Sequence, residues 1–233
     1  MFKKNFFILF IFYFLFYAFN TNAEVNENTV GVSIGSTRLI LKDDINDASV
    51  SVINNYKNTN FLVQSWIEDL NENRTDDLFV TPPLFQLSSK EESLIRVAKS
   101  ANFPADREVA FRLVVRYIPA LSKSDESIKN KLQFAVRNKI KIFIRPKGLE
   151  FSQEEAFKKL TFEKVGSNLV VHNNSPYVIS LAGININNKA LESVPDIINA
   201  YNKIEIKGVN SNIKSISYGV VNDYGAIKAY KYN

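Results

Sequence analysis

The stretch Leu132-Gln133-Phe134-Ala135-Val136-Arg137-Asn138-Lys139-Ile140-Lys141-Ile142-Phe143-Ile144-Arg145-Pro146 decides how the rest of the chain is read. Its bulky apolar residues alternate with others, and in an extended strand alternate side chains share a face. Leu132, Phe134 and Val136 fall on one side. The stretch ends in cations and a proline, which has no N–H to continue a ladder. Two readings of these residues stand side by side. One is an ordinary core strand with a solvated basic end; the other is an edge strand whose exposed apolar row fills a partner's core.

Upstream, the same period recurs. Residues 109–118 put Phe111, Leu113, Val115 and Tyr117 on one face and the half-polar set Ala110, Arg112, Val114 and Arg116 on the other. Phe61-Leu62-Val63-Gln64-Ser65-Trp66-Ile67 is rich in strand formers, and Val30-Gly31-Val32-Ser33-Ile34 alternates. Downstream of Pro146, short strands are expected at 168–172, 177–182 and 203–207. Helix is scarce: Ser152-Gln153-Glu154-Glu155 fits a capping box ahead of 156–160, enough for one or two turns. Many short strands with frequent turn residues point to an all-β sandwich architecture rather than a parallel α/β sheet. Arg145-Pro146-Lys147-Gly148 interrupts two strand-rich halves and reads as a hinge. The polar segment 120–131 reads as the long loop.

At the other end of the chain, Lys3 and Lys4 precede an unbroken apolar run of 14 residues, 6–19, and Thr21-Asn22-Ala23 offers a cleavage site. A spanning helix needs about 20 apolar residues, so the run reads as a signal peptide cleaved after Ala23, leaving no stable membrane insertion. The leader holds two lysines and no acid, so removing it takes the formal net charge from +5 to +3. That balance, with export, argues against nucleic acid as a partner. The remainder suffices for two domains of about 100 residues. With no cysteine, each domain must be held by its core rather than by disulfides, and thiolate metal sites are excluded.

Catalytic chemistry finds little footing. His172 is the only histidine and sits in the apparent strand Leu169-Val170-Val171-His172 with no partner motif. There is no G-x-S-x-G, P-loop or H-E-x-x-H, and Glu154 and Glu155 belong to a helix start. The sequence therefore implies no enzyme, no cofactor, no metal and no catalytic residue.

The quoted stretch resembles the G1 strand of the PapD-like periplasmic pilus chaperones, an aliphatic alternation followed by K-x-x-x-R-P, here Lys141-Ile142-Phe143-Ile144-Arg145-Pro146. The resemblance continues through Val32-Ser33-Ile34 with Thr37-Arg38, Gln64-Ser65-Trp66-Ile67 and Thr81-Pro82-Pro83-Leu84. It extends to Asp106-Arg107-Glu108 with Tyr117-Ile118-Pro119, to Asn174-Ser175-Pro176-Tyr177, and to Asn222-Asp223-Tyr224-Gly225. Val109 and Val114 stand where the family carries a small polar residue and an asparagine. The absence of a cysteine pair beside the 120–131 loop places the chain nearer the short-loop members.

The resemblance implies two immunoglobulin-like β-sandwich domains joined by a short hinge in an L or boomerang shape. Their limits are expected at 24–144 and 151–233, with leader 1–23 and hinge 145–150. It implies a periplasmic chaperone that binds, folds and caps pilus or fimbrial subunits by donor-strand complementation and delivers them to an outer-membrane usher. Leu132, Phe134 and Val136 would be the donated knobs. Arg38 and Lys141 would hold the subunit's C-terminal carboxylate, and Glu108, Arg145 and Asp223 would form an interdomain ion network. The expected partners are subunits, the usher and, when unloaded, a second copy in a self-capping homodimer. A pilus subunit or adhesin, or a carbohydrate-binding surface module, is the alternative.

Overall fold

Alternation with a period of two governs most of the chain. The computed structural model describes residues 31–120 and 134–232 and folds them into seventeen strands and one short helix. The leader 1–23, Leu132 and the loop expected at 120–131, apart from Ala120, lie outside the described residues.

The first half is built from β1 (Val32–Ile34), β2 (Arg38–Lys42), β3 (Asp47–Asn54), β4 (Phe61–Glu68), β5 (Leu78–Thr81), β6 (Leu84–Leu87), β7 (Glu92–Lys99), β8 (Val109–Pro119) and β9 (Val136–Arg145). One sheet runs β1-β3-β7-β5 and the facing sheet β2-β9-β8-β4-β6. Their inner faces share one core, in which Leu41, Val63, Leu113, Val115 and Ile142 from one sheet meet Val52, Ile95 and Val97 from the other. Expelling such side chains from water contributes about 25 cal/mol per Å² and is the main term holding a cysteine-free domain together. Motifs that are separate in sequence meet here: Ser65 donates through N and Oγ to Pro83 O and Pro82 O, at 2.9 Å each.

Every pairing in this half is antiparallel except β2 with β9, which run parallel. The exception follows from a change of sheet. β1 pairs with β3, then the chain crosses at Gly35 so that β2 lies beside β9. A Cβ on Gly35 would collide with the Ser51 hydroxyl, so glycine suits the crossing.

The chain leaves β9 at Arg145. Gly148 takes φ 71°, a left-handed turn that glycine adopts without steric cost. α1 (Gln153–Lys158) follows, capped by Ser152 and Glu155 in the expected box, with Ala156 and Phe157 buried. The second half contains β10 (Leu160–Val165), β11 (Asn168–Asn173), β12 (Ile179–Ile186), β13 (Lys189–Ala190), β14 (Ile197–Ile198), β15 (Lys203–Ile206), β16 (Ile216–Val221) and β17 (Ile227–Tyr232). A β10-β11-β15 sheet faces a β13-β12-β16-β17 sheet, with β14 attached to β12, around a second core that includes Leu169, Val171, Ile184 and Val220. The Asn173 amide closes the turn into β12, donating to Tyr177 O at 2.7 Å and Asn199 O at 2.9 Å. The two halves are immunoglobulin-like β-sandwiches.

The outer face of β8, read from sequence as half polar, is more buried than that. Ala110 packs with Phe143 and with Val178 of the second sandwich, and Val114 is fully covered. For Ala110 the second sandwich supplies cover that no local pattern announces, whereas Val114 stands in a row between Trp66 and Lys139 of its own sheet.

Candidate functional site

β9 is flanked unequally. β8 pairs with all of it but Arg145, residues 109–117 against 136–144, whereas β2 reaches only residues 141–145. Residues 136–140 therefore have one edge without a strand partner among the described residues. That edge is open because the first strand changes sheet at Gly35. Side chains on the inner face of β9 show the consequence. Ile140, Ile142 and Ile144 are buried in the first core, while Val136, of the same parity, is 56% exposed. Phe134, just before the strand, is 74% exposed. Both border an open hollow of about 380 Å³ that also touches Val32, Tyr56, Phe61 and Tyr117. Leu132, the third expected knob, lies outside the described residues.

The opposite face of this half-strand is pinned. Lys139 Nζ lies 2.7 Å from Glu68 Oε2 and 2.9 Å from Glu72 Oε1. Glu68 also accepts the Trp66 indole N–H at 2.8 Å, and the Arg74 and Arg116 guanidiniums lie over the Trp66 ring, 4.8 and 5.2 Å from its centroid. Burial pushes the Glu68 carboxyl up, but the bonds from Lys139 and Trp66 outweigh it and hold the group below its ordinary range.

One residue row further along the sheet, the parallel register sets Arg38 beside Lys141, and the antiparallel register sets Arg112 on Lys141's other side. Side chains in one cross-strand row share a face, so three cations face the second sandwich. Arg38 Nη1 donates to Val221 O at 3.2 Å, while its buried Nε has no hydrogen-bond partner among the described residues. Burial lowers the Arg38 pKa, with Asp223 and Glu108 pulling it back. Lys141 Nζ lies 2.8 Å from Asp196 Oδ2. Arg112 donates to Leu70 O at 2.9 Å and lies 3.4 Å from Asp196 Oδ1.

Beyond an apolar row of Ile40, Phe143 and Ala110 comes the third polar group. Arg145 Nε donates to Glu108 Oε1 at 2.5 Å, and its two terminal nitrogens donate to the Asp223 carboxylate at 2.5 and 2.8 Å. Glu108 accepts Val178 N–H at 2.9 Å and Asp223 accepts Gln153 Nε2 at 2.6 Å, so three of the expected residues meet at the junction of the sandwiches. Burial pushes Glu108 up, against the pull of Arg145. For Asp223 burial also pushes up, yet the Arg145 bonds and charge prevail and its carboxyl lies below the usual range. His172 stands apart on β11, with Nε2 3.3 Å from Glu163 Oε2. Sequence reasoning did not single out Asp196, and it noted Arg112 only as part of a polar face. The register across three strands joins them, and only the folded sheet displays it.

These elements define a two-sandwich protein in which half of β9 has an open edge, among the described residues, beside a basic row. Residues 31–150 match the family described as pili and flagellar-assembly chaperone, PapD N-terminal domain, and residues 155–232 match pili assembly chaperone PapD, C-terminal domain. Chaperone protein FocC of Escherichia coli is 33% identical over 205 residues, covering 87% of this chain and 89% of FocC. The periplasmic chaperone SfaE has a similar crystal structure, with a TM-score of 0.73 and 30% identity over 86% of this chain and 98% of SfaE. The SafB chaperone of Salmonella enterica, solved in complex with the SafA pilin, shares the fold with a TM-score of 0.78 and 22% identity over 87% of this chain and 95% of SafB. The chain belongs to the PapD-like family of pilus-assembly chaperones. Its role is chaperoning fimbrial subunits, which is not enzymatic, and neither the subunit or adhesin reading nor the carbohydrate-binding one is favoured.

Proposed function

We propose that this chaperone completes an unfinished fimbrial subunit by lending it the open edge of β9. The carrying observation is that residues 136–140 offer unpaired backbone groups on one edge while Phe134 and Val136 stand exposed in line with the buried isoleucines. A subunit strand laid on that edge gains main-chain hydrogen bonds, and its open core gains Phe134, Val136 and, by continuation of the alternation, Leu132. Arg38 and Lys141 hold the subunit's terminal carboxylate. A carboxylate fixed at one row sets the register, and a slip of one residue would turn the knobs away from the core they fill. Glu108, Arg145 and Asp223 set the angle between domains 24–144 and 151–233 across the hinge 145–150.

The same reading places the mature chain in the periplasm after cleavage behind Ala23, with delivery to an outer-membrane usher. An unloaded copy covers its open edge against a second copy. SafB, which shares this fold, was solved with a pilin bound, in keeping with subunit capture.

The test is Phe134→Glu. Because the side chain is largely solvated in the single chain, the charge should leave the monomer's melting temperature unchanged while subunit capture falls at least about 100-fold, since a carboxylate would enter an apolar core. A variant that unfolds without any partner present, or one that captures subunit normally, refutes the assignment of β9 as donor.

A further inference from the structure

Three cations of one row face the second sandwich, and a carboxylate of the chain itself already stands on two of them. Asp196 lies 2.8 Å from Lys141 and 3.4 Å from Arg112. Its backbone is fixed, since Asp196 O accepts Leu181 N–H at 3.1 Å and the next two residues form β14 on β12. Its side chain is 56% exposed, so it can swing into water without opening a cavity. Arg38, third in the row, is not paired with it and keeps a buried, unpartnered Nε.

We infer that Asp196 is an internal competitor for the carboxylate anchor: in the unloaded chaperone it occupies Lys141 and Arg112, and a subunit's terminal carboxylate must displace it. This rests on the proposal that Arg38 and Lys141 anchor that carboxylate. Two carboxylates cannot share one ammonium without mutual repulsion, so Asp196 raises the threshold for docking. It thereby selects for ligands that bring both an anion at the right row and enough strand pairing to hold it there. An isolated small carboxylate has only the first. Exposed ion pairs are weak, so displacement is readily reversible.

The experiment uses a peptide copying the last strand of the fimbrial subunit that co-purifies with this chaperone, made once as free acid and once as C-terminal amide. Wild-type protein should prefer the acid. Asp196→Asn should bind the acid about three- to tenfold tighter and leave the amide nearly unchanged, so the acid-to-amide ratio widens. A general disturbance of the fold would weaken both peptides alike and leave the ratio where it was. Wild-type protein that fails to prefer the acid overturns the anchor itself. Wild-type preference for the acid with an unwidened ratio in Asp196→Asn leaves the anchor standing and overturns the competitor.

Discussion

Asp223 shows how much a single carboxylate's surroundings decide. It accepts two bonds from Arg145 and one from Gln153, and its folded pKa lies below the ordinary value. A depressed folded pKa means that the stabilisation is present above the unfolded pKa, about 3.9, and is lost as pH falls through the folded value. Glu108 has the opposite sign: burial raises its folded pKa, so its penalty relaxes on acidification. Asp223 is therefore the member of the pair that makes the junction acid-sensitive. Thermal melts of the wild type should lose stability as pH falls below about 4, and Asp223→Asn should flatten that limb while lowering stability at pH 7. Parallel pH profiles for the two proteins would remove Asp223 from this role.

Strand β9 is two different objects end to end. Its second half is sandwiched between β2 and β8, and its first half hangs on β8 alone. The free half is tied from behind, where Glu68 pairs with Lys139 and also accepts the indole N–H of the buried Trp66. Glu68→Ala should cost about 1–3 kcal/mol in urea unfolding, since Lys139 and the indole N–H each lose their Glu68 carboxylate partner. An unchanged midpoint would show that Lys139 finds equal partners elsewhere. Much of this element was legible in the sequence. The alternation of Phe134, Val136 and Ile140 fixes their shared face, and the cations and Pro146 mark its end. What alternation cannot give is the neighbour on each edge. Arg38 and Lys141 lie about 100 residues apart, and their adjacency depends on a parallel register; resemblance to relatives suggested the pair, whereas local pattern did not. Asp196 was illegible for a stronger reason, since it carries no motif and gains its meaning only from the sandwich opposite.

At the scale of the molecule, one sheet face carries three successive rows toward the second sandwich. The cation row lies at the open side, the apolar row of Ile40, Phe143 and Ala110 packs near Val178, and Arg145 with its two carboxylates closes the far side. Buried ion groups of this kind contribute little net stability yet penalise any arrangement that leaves one unpaired. They suit an angle that must be kept more than a domain that must be held. In the proposed mechanism the apolar row supplies the contact and the ion group its direction. The chaperone can then remain folded with an edge left open, because both cores close without residues 134–139. In the proposed mechanism the subunit pairs on that edge. Hydrogen–deuterium exchange of the backbone amides of 136–140, free and with the captured subunit, reads it directly. The alternate amides pointing to the open edge should exchange fast in the free monomer, diluted below self-association, and slow by at least about 100-fold in the complex, while those bonded to β8 change little. Open-edge amides that stay fast in a saturated complex, with new protection appearing on β17 or elsewhere, would contradict it.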